Sequence, residues 1–328
     1  MLHRRFLIAF VVFVIGCVNK APTLHAEPSL TGQIHLTDVM GGQDPLIAAS
    51  RYQLWMPEDT SVVRTIFVIN MRAAGKRVFF RDPLWRQMAA RHSAAMMYCE
   101  FESKSVRENG YGASMLKACD QFADSLDRPE LRHAPFVLWG HSMGGRVVQD
   151  FVRFLPERVL TFHIALRAHP TPPEQMEEGA EATRVPGLYL MGERDGKPSD
   201  IREHFNRARR LGAPRAWVWL PGQSHWPKGM NFDQDKTSKS EWKAWAAHDV
   251  VIPWTEAMIE LRMPDEADPS REPVVLRPID TRRGWYGDIQ SGTLNPIDPS
   301  RDEGRTGSWF PNHAVAKAWM DFSRPWSR

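Results

Sequence analysis

The sequence lacks a dominant charge. Its 42 Lys and Arg stand against 39 Asp and Glu, a formal net charge of +3, whereas a dedicated nucleic-acid binder carries a basic stripe. It also lacks an apolar run long enough to span a bilayer. The longest, FLIAFVVFVIG from Phe6 to Gly16, falls well short of the roughly 20 residues a spanning helix needs. Cysteine is scarce, with only Cys17, Cys99 and Cys119. Internal repeats and low-complexity tracts are missing as well. What remains is ordinary for a globular chain, 42% hydrophobic and 25% charged over 328 residues. That length allows one large domain or two modest ones around a buried core. The 13 Trp and 25 Pro are high counts and point to irregular, aromatic-packed segments beside the regular core.

The short apolar run follows the basic stretch MLHRR, and together they read as a targeting segment over residues 1–26. Two processing sites compete. Val14-Ile15-Gly16-Cys17 resembles a bacterial lipobox, in which Cys17 is lipidated and anchors the mature chain to a membrane. Leu24-His25-Ala26 is a small-residue site for ordinary signal peptidase. Either predicts an exported protein, periplasmic or in the cell envelope, or secreted. Export permits a disulfide between Cys99 and Cys119, but both lie in apolar patterns where buried free thiols fit better.

Short apolar runs then alternate with helical patterns. Tyr52–Pro57, Arg64–Asn70, Ala94–Glu102, Pro135–Gly140, Arg158–Leu166, Val185–Gly192 and Ala213–Gly222 read as strands. Leu84–His92, Tyr111–Leu126, Gly144–Pro156, Ser199–Leu211 and a stretch ending near Met263 read as helices. Such alternation predicts an α/β fold with a mostly parallel sheet covered on both faces. This domain is expected over residues 30–263. After the Pro- and Asp-rich PDEADPSREP, residues 264–328 read as an irregular extension packing on the same domain, its Trp285, Trp309, Trp319 and Trp326 turned to the core.

One strand runs straight into Gly140-His141-Ser142-Met143-Gly144, and a helix follows. This is G-x-S-x-G between a strand and a helix, where a serine is exposed on a strained turn that only small neighbours accommodate. Gly140 and Gly144 supply the room. A serine hydroxyl needs a base, and His225 follows the last apolar strand in PGQSHWP. His169 is the runner-up. His163 reads as core, His204 and His248 as helix residues, and His141 as pointing away from the serine. The acid that orients the base is assigned to Asp195 in LYLMGERDG, with Glu193 and Asp200 as alternatives in the same loop.

The order Ser142, Asp195, His225, each after a strand, resembles the α/β-hydrolase superfamily over roughly residues 50–260. The resemblance implies a serine hydrolase that forms an acyl-enzyme and needs no metal or other cofactor, acting on a small-molecule or polysaccharide-linked ester. It departs from the family at the oxyanion loop, where Asn70-Met71-Arg72 stands in place of His-Gly. Met143 would give one N–H to the oxyanion and Met71 or Arg72 the other. Side chains there are expected to crowd the acyl pocket, or Arg72 to meet a polar substrate. Only a short cap separates Leu166 from Val185, which predicts an open site. Two further readings stay open: an amide or peptide hydrolase, and a non-catalytic carbohydrate- or surface-binding protein on a hydrolase scaffold.

Overall fold

A computed structural model describes residues 31–39, 50–71, 75–101, 110–165, 179–196, 199–226, 239–302 and 304–323. Cys17, Arg72, His169, Trp326 and most of the cap segment lie outside the described residues. The first half contains strands β1 (Gly32–Val39), β2 (Ser50–Pro57) and β3 (Thr65–Asn70), helices α1 (Gly75–Arg81) and α2 (Pro83–Arg91), β4 (Ala94–Phe101), α3 (Gly110–Leu126), β5 (Phe136–His141) and α4 (Met143–Phe154). There follow β6 (Val159–Ala165), α5 (Ala180–Thr183), β7 (Gly187–Gly192), α6 (Ser199–Arg210), β8 (Arg215–Leu220), α7 (Lys239–Trp245) and α8 (His248–Arg262). The last part holds β9 (Trp285–Asp288), β10 (Thr293–Pro296), α9 (Pro299–Asp302), β11 (Ser308–Phe310) and α10 (His313–Ser323).

Eight strands form one sheet in the order β1-β2-β4-β3-β5-β6-β7-β8. Strands β3 to β8 run parallel, and β2 is antiparallel to both of its neighbours. These are the order and directions of the α/β-hydrolase sheet. The central strands are apolar on both faces because both faces are covered. Phe67, Ile69, Val137 and Trp139 pack toward α1, α2, α7 and α8. Their neighbours Ile66, Val68, Phe136 and Leu138 pack toward α3, α4 and α6. That two-residue alternation fixes which way each end-of-strand side chain points. Cys99 and Cys119 are buried and are not joined in a disulfide, and burial pushes the Cys119 thiol up to about 12.

Three elements differ from the pattern reading. Strand β1 has no counterpart in it, because as an exposed edge its pattern is broken, with Ile34 and Leu36 facing out. Helix α1, of seven residues, is too short to show a helical period. The extension that reads as irregular contains, in its stretch RRGWYGD, β9, the centre of a second, antiparallel sheet in the order β10-β9-β11. Strands of three or four residues leave no alternation to detect.

This C-terminal segment closes the edge of the main sheet. The outward N–H of Trp217 on β8 donates to Ser308 Oγ at 2.9 Å, and Trp217 O accepts from Trp319 Nε1 at 2.8 Å. An open edge would leave those groups unpaired and ready to join another strand. Trp309, Phe310 and Trp319 sit in the same core cluster as α8. Among the described residues no helix is long and apolar enough to cross a membrane. Truncating the fully buried Trp319 to Ala is expected to cost about 3–5 kcal/mol. Urea denaturation should show one cooperative transition moved to lower midpoint. A separate early transition would mean that the segment folds on its own.

Candidate active site

The elbow between β5 and α4 is strained at Ser142, which adopts φ 55 and ψ −120. A non-glycine residue holds such a conformation only where its surroundings impose it, at a cost of about 1–3 kcal/mol. Here Ser142 N donates to Ala165 O at 3.1 Å, and Gly145 N donates to Ser142 O at 3.0 Å. The glycines are required by contact. A Cβ on Gly144 would lie 1.9 Å from the carbonyl oxygen of Asn70, and one on Gly140 would lie 2.3 Å from that of Gly144. The end of β3 is thus pressed against the first turn of α4. Asn70 is itself fixed there by the Tyr111 hydroxyl, which donates to its Oδ1 at 2.6 Å.

Met143 opens α4, so its N–H has no partner within the helix, and the positive end of the helix dipole lies at the elbow. Met71 follows β3 directly. Its side chain is buried in the core with Phe79 and Phe80. Met71 is 1% exposed, as apolar burial is available beneath the loop.

His225 lies in the loop after β8, and its Nδ1 is 2.9 Å from Asp195 Oδ1. Asp195 follows β7 and is 4% exposed. Its other oxygen is buried without a hydrogen-bond donor among the described residues. The two loops are laced together: Glu193 N donates to Leu220 O at 3.2 Å and Arg194 N to Gln223 O at 2.8 Å. Glu193, an alternative acid, instead accepts the Gly222 N–H at 2.8 Å. The side chain of Asp200 is not described. Among the described residues Ser142 Oγ makes no hydrogen bond to His225, and no group of His, Cys, Asp and Glu is arranged to hold a metal.

His141 is a site residue that the sequence reading passes over. It points away from Ser142, as expected, but not into an idle position. It continues the Val137, Trp139 face of β5, and its Nε2 meets the carbonyl oxygen of His225 at 2.8 Å. A carbonyl only accepts, so Nε2 carries the proton. Its ring stands 4.7 Å from that of His225, 4.3 Å from Trp226 and 5.2 Å from Trp245. Full burial, with the neighbouring His225 adding to it, pushes His141 down to about 3. The signal available in sequence is the parity of β5, read together with the Trp after His225. Of the other histidines, His163 is core and sits 3.2 Å from Thr255 Oγ1. His248 is buried beside Asp82 at 3.1 Å.

No family model and no curated protein matches the chain. Among solved structures it is similar to a cold-adapted esterase from an Arctic intertidal metagenomic library, at 14% identity over 70% of this chain and 95% of that one, TM-score 0.46. It is similar to a dienelactone hydrolase from Anabaena variabilis at 15% identity over 70% and 97%, TM-score 0.44. It is also similar to FphF, a fluorophosphonate-binding serine hydrolase of Staphylococcus aureus, at 13% identity over 69% and 98%, TM-score 0.45.

Two outcomes follow from the geometry. Gly144→Ala should destabilise the protein by about 3 kcal/mol, because the clash is with backbone that cannot rotate away. Chemical denaturation measures it, and a wild-type midpoint would contradict the close approach. The second concerns pH. His141 binds its proton less readily folded than unfolded, so the unfolded state holds more protons between about pH 6.5 and 3. Its contribution is full above 6.5 and is lost as pH falls toward 3, at about 1.4 kcal/mol per unit. The stability of His141→Gln should accordingly fall less steeply than wild type over pH 6.5 to 4.5. Parallel curves would show that His141 titrates normally.

Proposed function

We propose that this chain is an exported serine hydrolase that cleaves a carboxylic ester through an acyl-enzyme intermediate. The observation that carries the reading is a conjunction: a serine at positive φ on a strand-to-helix elbow, and a buried carboxylate on Nδ1 of a histidine in the loop after β8. The contact of His141 with the carbonyl of His225 holds that loop beside the elbow.

Ser142 Oγ attacks the acyl carbon and passes its proton to His225 Nε2. Asp195 accepts from Nδ1–H, which selects the tautomer with Nε2 free and stabilises the imidazolium. The tetrahedral oxyanion accepts from the backbone N–H of Met143 and of Met71, with Arg72 the alternative donor. The imidazolium then protonates the leaving alkoxide. Water, deprotonated by His225, attacks the acyl carbon, and Ser142 departs with the proton returned. No metal or organic cofactor takes part. The substrate is a small-molecule or polysaccharide-linked ester. The basic and apolar N-terminus supports export, and Cys17 in its lipobox supports anchoring at a membrane.

A non-catalytic binding protein on the same scaffold is the second reading, favoured by the missing hydrogen bond between Ser142 and His225. Hydrogen bonds of this kind often tighten only in the substrate complex, which keeps the hydrolase ahead. A fluorophosphonate probe and p-nitrophenyl butyrate separate the two. The wild type should label and turn over. Ser142→Ala should lose labelling and about four to six orders of magnitude in kcat, and Asp195→Asn about four. Equal turnover by wild type and Ser142→Ala would reject the nucleophile, and a folded wild type that neither labels nor turns over would favour the binding protein.

A further inference from the structure

A cavity of about 540 Å³ opens at the end of the sheet opposite the elbow. Its walls include Arg158, Val185 and Pro214, which lead into β6, β7 and β8, whereas Ser142, Asp195 and His225 follow the other ends of their strands. Six-residue strands separate the two places by about 20 Å. The opposite wall is the chain that leaves α8, including Val274, Leu276 and Ile279. Val275 and Leu211 stand at the mouth, 85% and 66% exposed. The volume lies within the range of small-molecule pockets, and the walls are mainly apolar, as such pockets are.

At its base is Arg262, only 8% exposed. Its Nη1 donates to the carbonyl oxygens of Val159 and, at 2.8 Å, Leu160, and its Nε to that of Arg277 at 3.3 Å. Its Nη2 has no partner among the described residues, and no carboxylate among them pairs with it. Two carboxylates also line the cavity, each beside another arginine of its wall: Glu181 pairs with Arg184 at 3.1 Å, and Glu157 interacts with Arg158, which leaves Arg262 as the cation without an acidic partner. Arg158, another of the three arginines of the wall, also keeps a buried Nε without a partner among the described residues. Burial pushes the Arg262 guanidinium down to about 10, so it remains cationic at neutral pH. A buried cation held only by neutral carbonyls lacks the counter-ion that normally offsets its desolvation. A smaller cavity of about 310 Å³ beside it is lined by Arg209, Arg210, Arg282 and Asp302 and has few aliphatic side chains, Leu211 and Ile297, to hold a hydrocarbon chain.

We infer that the larger cavity binds an amphipathic organic carboxylate, with its head on Arg262 and its chain along Val274, Leu276 and Leu211. One free guanidinium nitrogen suits a monoanionic head, and the apolar walls suit a hydrocarbon chain. The site is separate from the candidate active site and does not depend on its chemistry.

Isothermal titration of the full chain carrying Ser142→Ala with sodium decanoate tests this. Decanoate should bind saturably at one site with a Kd of about 0.1 mM. Decanol, which lacks the charge, and acetate, which lacks the chain, should each bind at least about tenfold more weakly. Val275→Asp and Leu211→Asp, at exposed positions that leave the fold intact, should each weaken decanoate about tenfold by repulsion at the mouth. Three results would overturn the inference: no saturable binding, decanol binding as tightly as decanoate, or wild-type affinity in both aspartate variants.

Discussion

The structure around the elbow depends on one close approach, that of the Asn70 carbonyl to Gly144. No side chain fits between them, so the end of β3 and the first turn of α4 are in contact through backbone alone. That contact decides two things together. It leaves Ser142 on a turn too tight for ordinary φ. It brings the segment at Met71 alongside the first free N–H groups of α4. It uses only the backbone carbonyl of Asn70, whose side chain has its own partner in Tyr111. A residue's identity at this loop is set by where its side chain can go, and that of Met71 goes into the core.

The second constraint is how a histidine on a loop is held still. Loops carry function because a scaffold positions them, and the loop after β8 has three ties. Asp195 binds the imidazole, backbone hydrogen bonds lace it to the loop after β7, and His141 grips the carbonyl of His225. His141 is held neutral at this tie by its burial: the Nε2–H already serves the carbonyl, and a second proton on Nδ1 would be buried with no acceptor among the described residues. A cationic ring would have no counter-charge among the tryptophans around it. The same apolar surroundings that pack α7 against β5 thus fix the protonation state of the side chain beneath His225.

Much of this is legible in the sequence. The strands β3 to β8 announce themselves as apolar runs because they are buried on both faces, and G-x-S-x-G between a strand and a helix marks the elbow. The pairing of Asp195 with His225 follows from order along the chain, because each comes after a strand at the same edge of a parallel sheet. What escapes is of two kinds. Short elements such as β9 and α1 have no measurable period. Contacts that depend on tertiary neighbours, such as His141 with His225, have no local signature at all. His141 and His225 are far apart in sequence, and only the parity of β5 and the packing of Trp245 bring their rings together.

The C-terminal segment shows how an irregular sequence can be structurally demanding. Its turns and short strands carry no pattern, yet its two polar contacts with Trp217 satisfy both outward groups of one residue on the sheet's edge strand. An edge residue in a parallel strand sends its N–H and C=O to the same side, so one neighbour must offer an acceptor and a donor within a single residue's span. Ser308 on β11 and Trp319 on α10 do so from two different elements. The antiparallel sheet β10-β9-β11 is what holds those elements at that separation. The tryptophans that look like an excess in the composition therefore differ in what they do. Trp309 fills the core, while Trp319 both fills it and donates the hydrogen bond that closes the edge.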